Sequence, residues 1–257
     1  MNFTDLLGSL VQNGISKSGR SRVTRALEGT TGGSLDDLIG GLGQMMGGSG
    51  SGSSGLGGML GDVLSGAGSA KTTSLGGLGA LAGAILGGGG KATRGAIGGG
   101  SLAMLASLAL KALQSAGKKT AEPPRALFEP QTDKDREGIE EDASIIVKAM
   151  INAAKADGQI DEKEVEKIIG KLDDDGLTPE EKQFFLEETK KPVDLNGIIA
   201  SVGNREDMAA QVYAASLLAI EVDTVTEQNY LDALASGLGL PEQSVVYIKS
   251  TLGLMSA

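Results

Sequence analysis

The chain is predicted to fold as an all-α protein, and three observations point there. Apolar residues in the C-terminal half recur at spacings of three and four, as on one face of an α-helix. Helix-capping signatures punctuate those runs, and no segment shows the period-two alternation of a strand. The expected architecture is a compact bundle of about seven helices in the C-terminal half, preceded by a glycine-rich N-terminal half.

Taken in order, the C-terminal elements begin with Ile139, Ala143, Ile146, Met150 and Ala153, one apolar stripe that ends near Gly158. Glycine suits a left-handed turn after a helix. Val165, Ile168, Ile169 and Leu172 resume the stripe behind Asp161 and Glu164, which read as a D-x-x-E capping box. Thr178-Pro179-Glu180-Glu181 is a second box with proline at the first helical position, and Lys191-Pro192 closes the helix it opens. Asp194 to Val202 reads as a short helix. Asn204-Arg205-Glu206-Asp207 is expected to cap a longer one whose Met208, Val212, Ala215 and Ala219 face the core. Tyr230, Leu231 and Leu234 mark another, closed by Gly237 or Gly239, and Pro241 starts the last, with Val245, Ile248 and Leu252. Residues 133–257 are therefore expected to form a helical domain able to fold by itself.

The N-terminal half reads differently. Residues 1–28 hold a short amphipathic helix (Phe3, Leu6, Leu7, Leu10, Val11) followed by Lys17, Arg20, Arg22 and Arg25. That layout suits either a membrane surface or a marginal solvated helix. Residues 29–74 are Gly/Ser-rich without apolar period, a composition expected to be flexible. Residues 75–113 read as a Gly/Ala-rich apolar helical hairpin, with uncharged runs at 72–90 and 95–110 separated by Lys91-Ala92-Thr93-Arg94. Gly79, Gly83 and Gly87, and likewise Gly95, Gly99, Ala103 and Ser107, repeat every four residues. Such small-residue seams let helices approach closely within a bilayer or an oligomer. Both runs sit at or below the roughly 20 residues that cross about 30 Å of hydrocarbon. Residues 114–132 form a linker kept extended by Pro123, Pro124 and Pro130.

Charge divides at the same place. Residues 1–121 carry ten Lys/Arg and five Asp/Glu, whereas 122–257 carry thirteen and twenty-eight, so the overall −10 conceals a basic and an acidic half. Nucleic acid is disfavoured as a partner, because the basic half has Phe3 as its one aromatic residue. The absence of cysteine and histidine removes disulfides, thiolate chemistry and the commonest general base. Gly87 to Gly90 is not a phosphate loop, since no G-K-[ST] follows in register. No nucleophile paired with a base is visible, and a non-enzymatic role is expected. The first residues, Met1-Asn2-Phe3-Thr4-Asp5, lack the basic and apolar regions of a secretory signal.

The stretch Ala154-Lys155-Ala156-Asp157-Gly158-Gln159-Ile160-Asp161-Glu162-Lys163-Glu164-Val165 resembles the signature of the TerB-like tellurite-resistance superfamily. A degenerate copy runs from Leu218 to Glu227. This second copy, followed by Tyr230 to Ala235 and Leu238-Gly239-Leu240-Pro241 and combined with the long glycine-rich N-terminal part, is similar to the YebE-like inner-membrane branch. The resemblance implies a TerB-like bundle and an inner-membrane location with the C-terminal domain in the cytoplasm; the alternative is a cytoplasmic protein. It also implies a divalent-cation site at Asp157, Asp161, Glu164, Asp223 and Glu227. An oxygen-only ligand set favours a hard ion, calcium before magnesium.

The second copy departs from the pattern, with Thr224 in place of the glycine and Asn229 opposite Glu164. Asp173-Asp174-Asp175-Gly176 reads as a solvated helix end, and neither glycine fits an EF-hand register. Two functions follow from the whole. One is a membrane-associated accessory protein binding lipid through 75–113, a protein partner through its helical domain, or a second copy of itself. The other is a soluble, cation-responsive regulatory or interaction module with a disordered tail.

Overall fold

The computed structural model describes residues 2–13, 16, 18–31, 94–118, 124–128, 130–156, 158, 160 and 162–254, and every regular element among them is helical. From the N-terminal side come α1 (Phe3–Asn13), α2 (Gly19–Thr31) and α3 (Arg94–Ser115). A 3-10 turn at Arg125–Leu127 precedes α4 (Asp133–Ala154), α5 (Glu162–Asp174), α6 (Pro179–Lys190) and α7 (Leu195–Val202). The chain continues through α8 (Glu206–Ala219), α9 (Val225–Gly237) and α10 (Glu242–Thr251). Seven helices thus lie from residue 133 onward, in keeping with the sequence pattern.

Local chemistry sets many of their ends. Thr132 with Asp135, Thr178 with Glu181, and Thr224 with Glu227 form reciprocal capping boxes at the starts of α4, α6 and α9. Each satisfies two backbone donors that the first turn leaves unpaired. Asp194 Oδ1 accepts from Gly197 N at 2.8 Å and caps α7. At the far end of α9, Gly239 takes φ 64°, which lets Leu240 N reach back to Ala235 O at 3.1 Å.

One core joins the N- and C-terminal helices. Leu6, Leu7, Leu10 and Val11 of α1 share it with Leu102, Leu105, Leu108 and Leu113 of α3. They pack with Ile146, Met150 and Ile151 of α4 and with Tyr213 and Leu217 of α8. Helices α3 and α8 lie against one another, α1 lies on α3 and α4, and α4 lies on α8. All residues of α8 from Met208 to Ala219 are buried. A helix apolar on every side needs neighbours on every side. Leaving out α3 would strip one of those sides.

The unit expected over 133–257 is therefore completed by three helices from the N-terminal half. The amphipathic stripe of 1–28 faces this core, not solvent. The second uncharged run, 95–110, lies within α3, where Ala106, Ala109 and Ala112 are fully buried beside the leucines. No helix of the described residues is long and apolar enough to cross a membrane. The first run, 72–90, and the Gly/Ser-rich residues 32–74 lie outside the described residues. In the 114–132 linker, the extended reading holds at Phe128 (φ −118°, ψ 150°), whereas residues 125–127 turn. That turn is tied to the bundle: Arg125 and Arg205 both approach the buried Asp142 carboxylate, Arg125 at 4.0 Å.

Candidate functional site

The two family-like stretches both form corners at which one helix ends and another begins. At the first corner α4 stops at Ala154, and Lys155 turns inward to 2 % exposure. Its ammonium donates to Glu188 O at 2.8 Å and Lys191 O at 2.9 Å, the carbonyls that end α6. A cation belongs there, because unpaired carbonyls and the helix dipole concentrate negative charge at that end. Burial pushes the Lys155 pKa down, while the Glu188 carboxylate opposes the shift. Gly158 takes φ 151°, a conformation open to glycine that carries the chain toward α5. Asp157 and Asp161 lie outside the described residues. Glu164 falls in the first turn of α5, and its side chain is likewise outside them.

At the second corner α8 gives way to an extended Ile220 (φ −106°, ψ 145°), and Thr224 opens α9. Glu227 Oε2 accepts from Asp223 N at 3.1 Å, Thr224 N at 2.9 Å and Thr224 Oγ1 at 2.8 Å. Burial opposes ionisation of Glu227, but the hydrogen bonds from Thr224 and Asp223 outweigh it and hold the carboxyl below its usual range. Glu227 is thus a capping carboxylate, 5 % exposed, and Asp223 is exposed on the turn before it. Among the described residues no three acidic side chains are grouped so as to hold a metal ion.

Sequence reasoning did not single out Arg22 and Glu221 at this corner. Ser16 Oγ donates to Leu218 O at 3.1 Å, and Ser18 N donates to Glu221 Oε1 at 3.0 Å. The Arg22 guanidinium donates to Leu217 O and Ile220 O. Nor did it find the carboxylates that dock α1. Glu140 Oε2 accepts from Phe3 N at 2.6 Å, and Glu181 Oε1 accepts from Asn2 N at 2.9 Å. Lys155 carried a signal, since it sits inside the family-like motif. Glu221 likewise lies inside the second copy and Glu181 inside its capping box, whereas Arg22 and Glu140 carried none, because their partners lie from 137 to 198 residues away along the chain.

Comparison with known proteins gives a consistent but sparse picture. The family model described as "Protein of unknown function (DUF533)" matches residues 68–252. A relative from Yersinia enterocolitica, described as "Uncharacterized protein in ampR 5'region", is 28 % identical over 114 residues, which covers 44 % of this chain and 81 % of that protein. No solved structure matches the chain.

Proposed function

We propose that this chain, which belongs to the DUF533 family of proteins of unknown function, is a non-enzymatic accessory protein. Its acidic helical unit serves as an interaction module, and its glycine-rich segment holds that unit at a membrane. The resemblance of 154–165 to the TerB-like signature, and of the second half to the YebE-like inner-membrane branch, agrees with this reading.

The observation that carries it is the fate of the two uncharged runs. The second is committed to the core as α3, with Leu102, Leu105 and Leu108 buried, so it is not available to lipid while the unit is folded. That leaves 72–90, nineteen uncharged residues between Lys71 and Lys91, as the stretch suited to a bilayer. Its leucines at 75, 78, 81 and 86 with Ile85 supply only roughly −1.5 to −3 kcal/mol of insertion free energy. Attachment is then expected to draw on the basic N-terminal half and on helix pairing through Gly79, Gly83 and Gly87. Fractionation of cells expressing the full-length chain tests this. The protein should sediment with membranes at physiological salt, and recovery wholly in the soluble fraction would remove the reading.

A second reading, divalent-cation binding, rests on the first corner. Asp157 follows the C-terminal end of α4, where the dipole disfavours a carboxylate, and a cation held with Asp161 and Glu164 would offset that. Thermal unfolding with and without millimolar calcium tests it. The melting temperature should rise, and Asp157→Asn should abolish the rise while leaving metal-free stability unchanged or slightly higher.

A further inference from the structure

Counting from the aspartate of each motif copy, Glu221 stands where the first copy has Lys155, two residues before Asp223 as Lys155 is two before Asp157. The second corner therefore has an acid where the first has its helix-capping cation. We infer that it is a built-in guanidinium site: Arg22, from the start of α2, supplies a cation to the carbonyls that end α8. With Arg22 in place this corner takes the N-terminal segment and not a metal ion.

The geometry is that of a site formed around one group. Arg22 is 6 % exposed, and its Nη1 donates to both Leu217 O and Ile220 O. These carbonyls lie at the end of α8, where helical partners run out and positive charge is favoured. Burial pulls the Arg22 pKa down, and the neighbouring carboxylates of Glu221 and then Glu227 counter it. The segment bearing Arg22 is stitched down on either side of it. Ser16 Oγ and Ser18 N hold it to Leu218 O and Glu221 Oε1, and Arg25 Nη1 donates to Gly253 O at 3.3 Å. Arginine suits the position better than lysine, since its charge survives burial and its donors are fixed in a plane. Glu221 is engaged from within the chain by Ser18 N, and Arg22 of the basic cluster has its partners inside the protein.

Chemical rescue of the full-length chain tests the assignment. Arg22→Gly should lower the melting temperature, and methylguanidinium at tens of millimolar should restore part of the loss, whereas calcium at matched ionic strength should not. An unchanged melting temperature in Arg22→Gly, a folded variant that methylguanidinium does not rescue, or an equal rescue by calcium would each overturn it. Should Arg22→Gly fail to fold, Arg22→Lys decides. Its amide hydrogens at 217–221 should exchange about tenfold faster than in the wild type, and unchanged exchange would sink the proposal.

Discussion

Glu227 shows how a residue chosen for one chemistry can be engaged in another. Its carboxylate closes the capping box of α9, and because the folded pKa lies below the usual glutamate value near 4.5, ionisation adds stability. That contribution is complete above the usual value and is lost as pH falls through the lower folded one. Glu227→Gln is accordingly expected to cost about 1 kcal/mol at pH 7. The difference from wild type should vanish in acid, which urea unfolding at a series of pH values would reveal. A constant deficit across that range would mean the carboxylate charge is not what matters. Gly239→Ala, forcing φ 64° on a residue with a Cβ, should cost about 1–2 kcal/mol in the same assay. Capping boxes such as Thr178 with Glu181 were legible in the sequence because all their atoms come from four consecutive residues. Arg22 was not, because the carbonyls it binds lie 195 and 198 residues away along the chain.

At the scale of elements, α3 is where composition and position parted. Its run of leucine, alanine and glycine fits a bilayer and a protein core equally well, since both solvents are apolar. What decides is the presence of matching faces, and those come from α1, α4 and α8, far apart in the chain. Leu105, fully buried, is expected to cost about 2–5 kcal/mol when cut to alanine, measurable by denaturant unfolding. More severely, residues 125–257 expressed without α1 and α3 should retain helical circular dichroism yet lose the cooperative transition, because the faces of α4 and α8 would be left open. A sharp two-state transition in that fragment would show that the N-terminal helices merely decorate a core complete without them. The helices from α4 onward, by contrast, could be read from their apolar stripes, and at α6 cap and stop agree as well, with Thr178 and Glu181 opening the helix and Lys191 ending it.

For the whole molecule, the charge division seen in the sequence acquires a different meaning once the fold is known. Basic residues of the N-terminal half are partly drawn into the acidic unit, Arg22 at α8 and Lys118 to Glu206 at 2.8 Å. The basic half is thus not wholly given over to an external partner. Its glycine-rich middle, by contrast, connects two elements of the helical unit, since α2 and α3 both belong to it and are joined through residues 32–93. On the function proposed above, this unit is held at a membrane through 72–90 while its own helices stay buried. Co-sedimentation with anionic phospholipid vesicles, comparing the full-length chain with one lacking 72–90, tests it most directly. Sedimentation of the full-length chain alone, with the same helical circular dichroism for both proteins, is the predicted result. Equal sedimentation of both, or of neither, would contradict it.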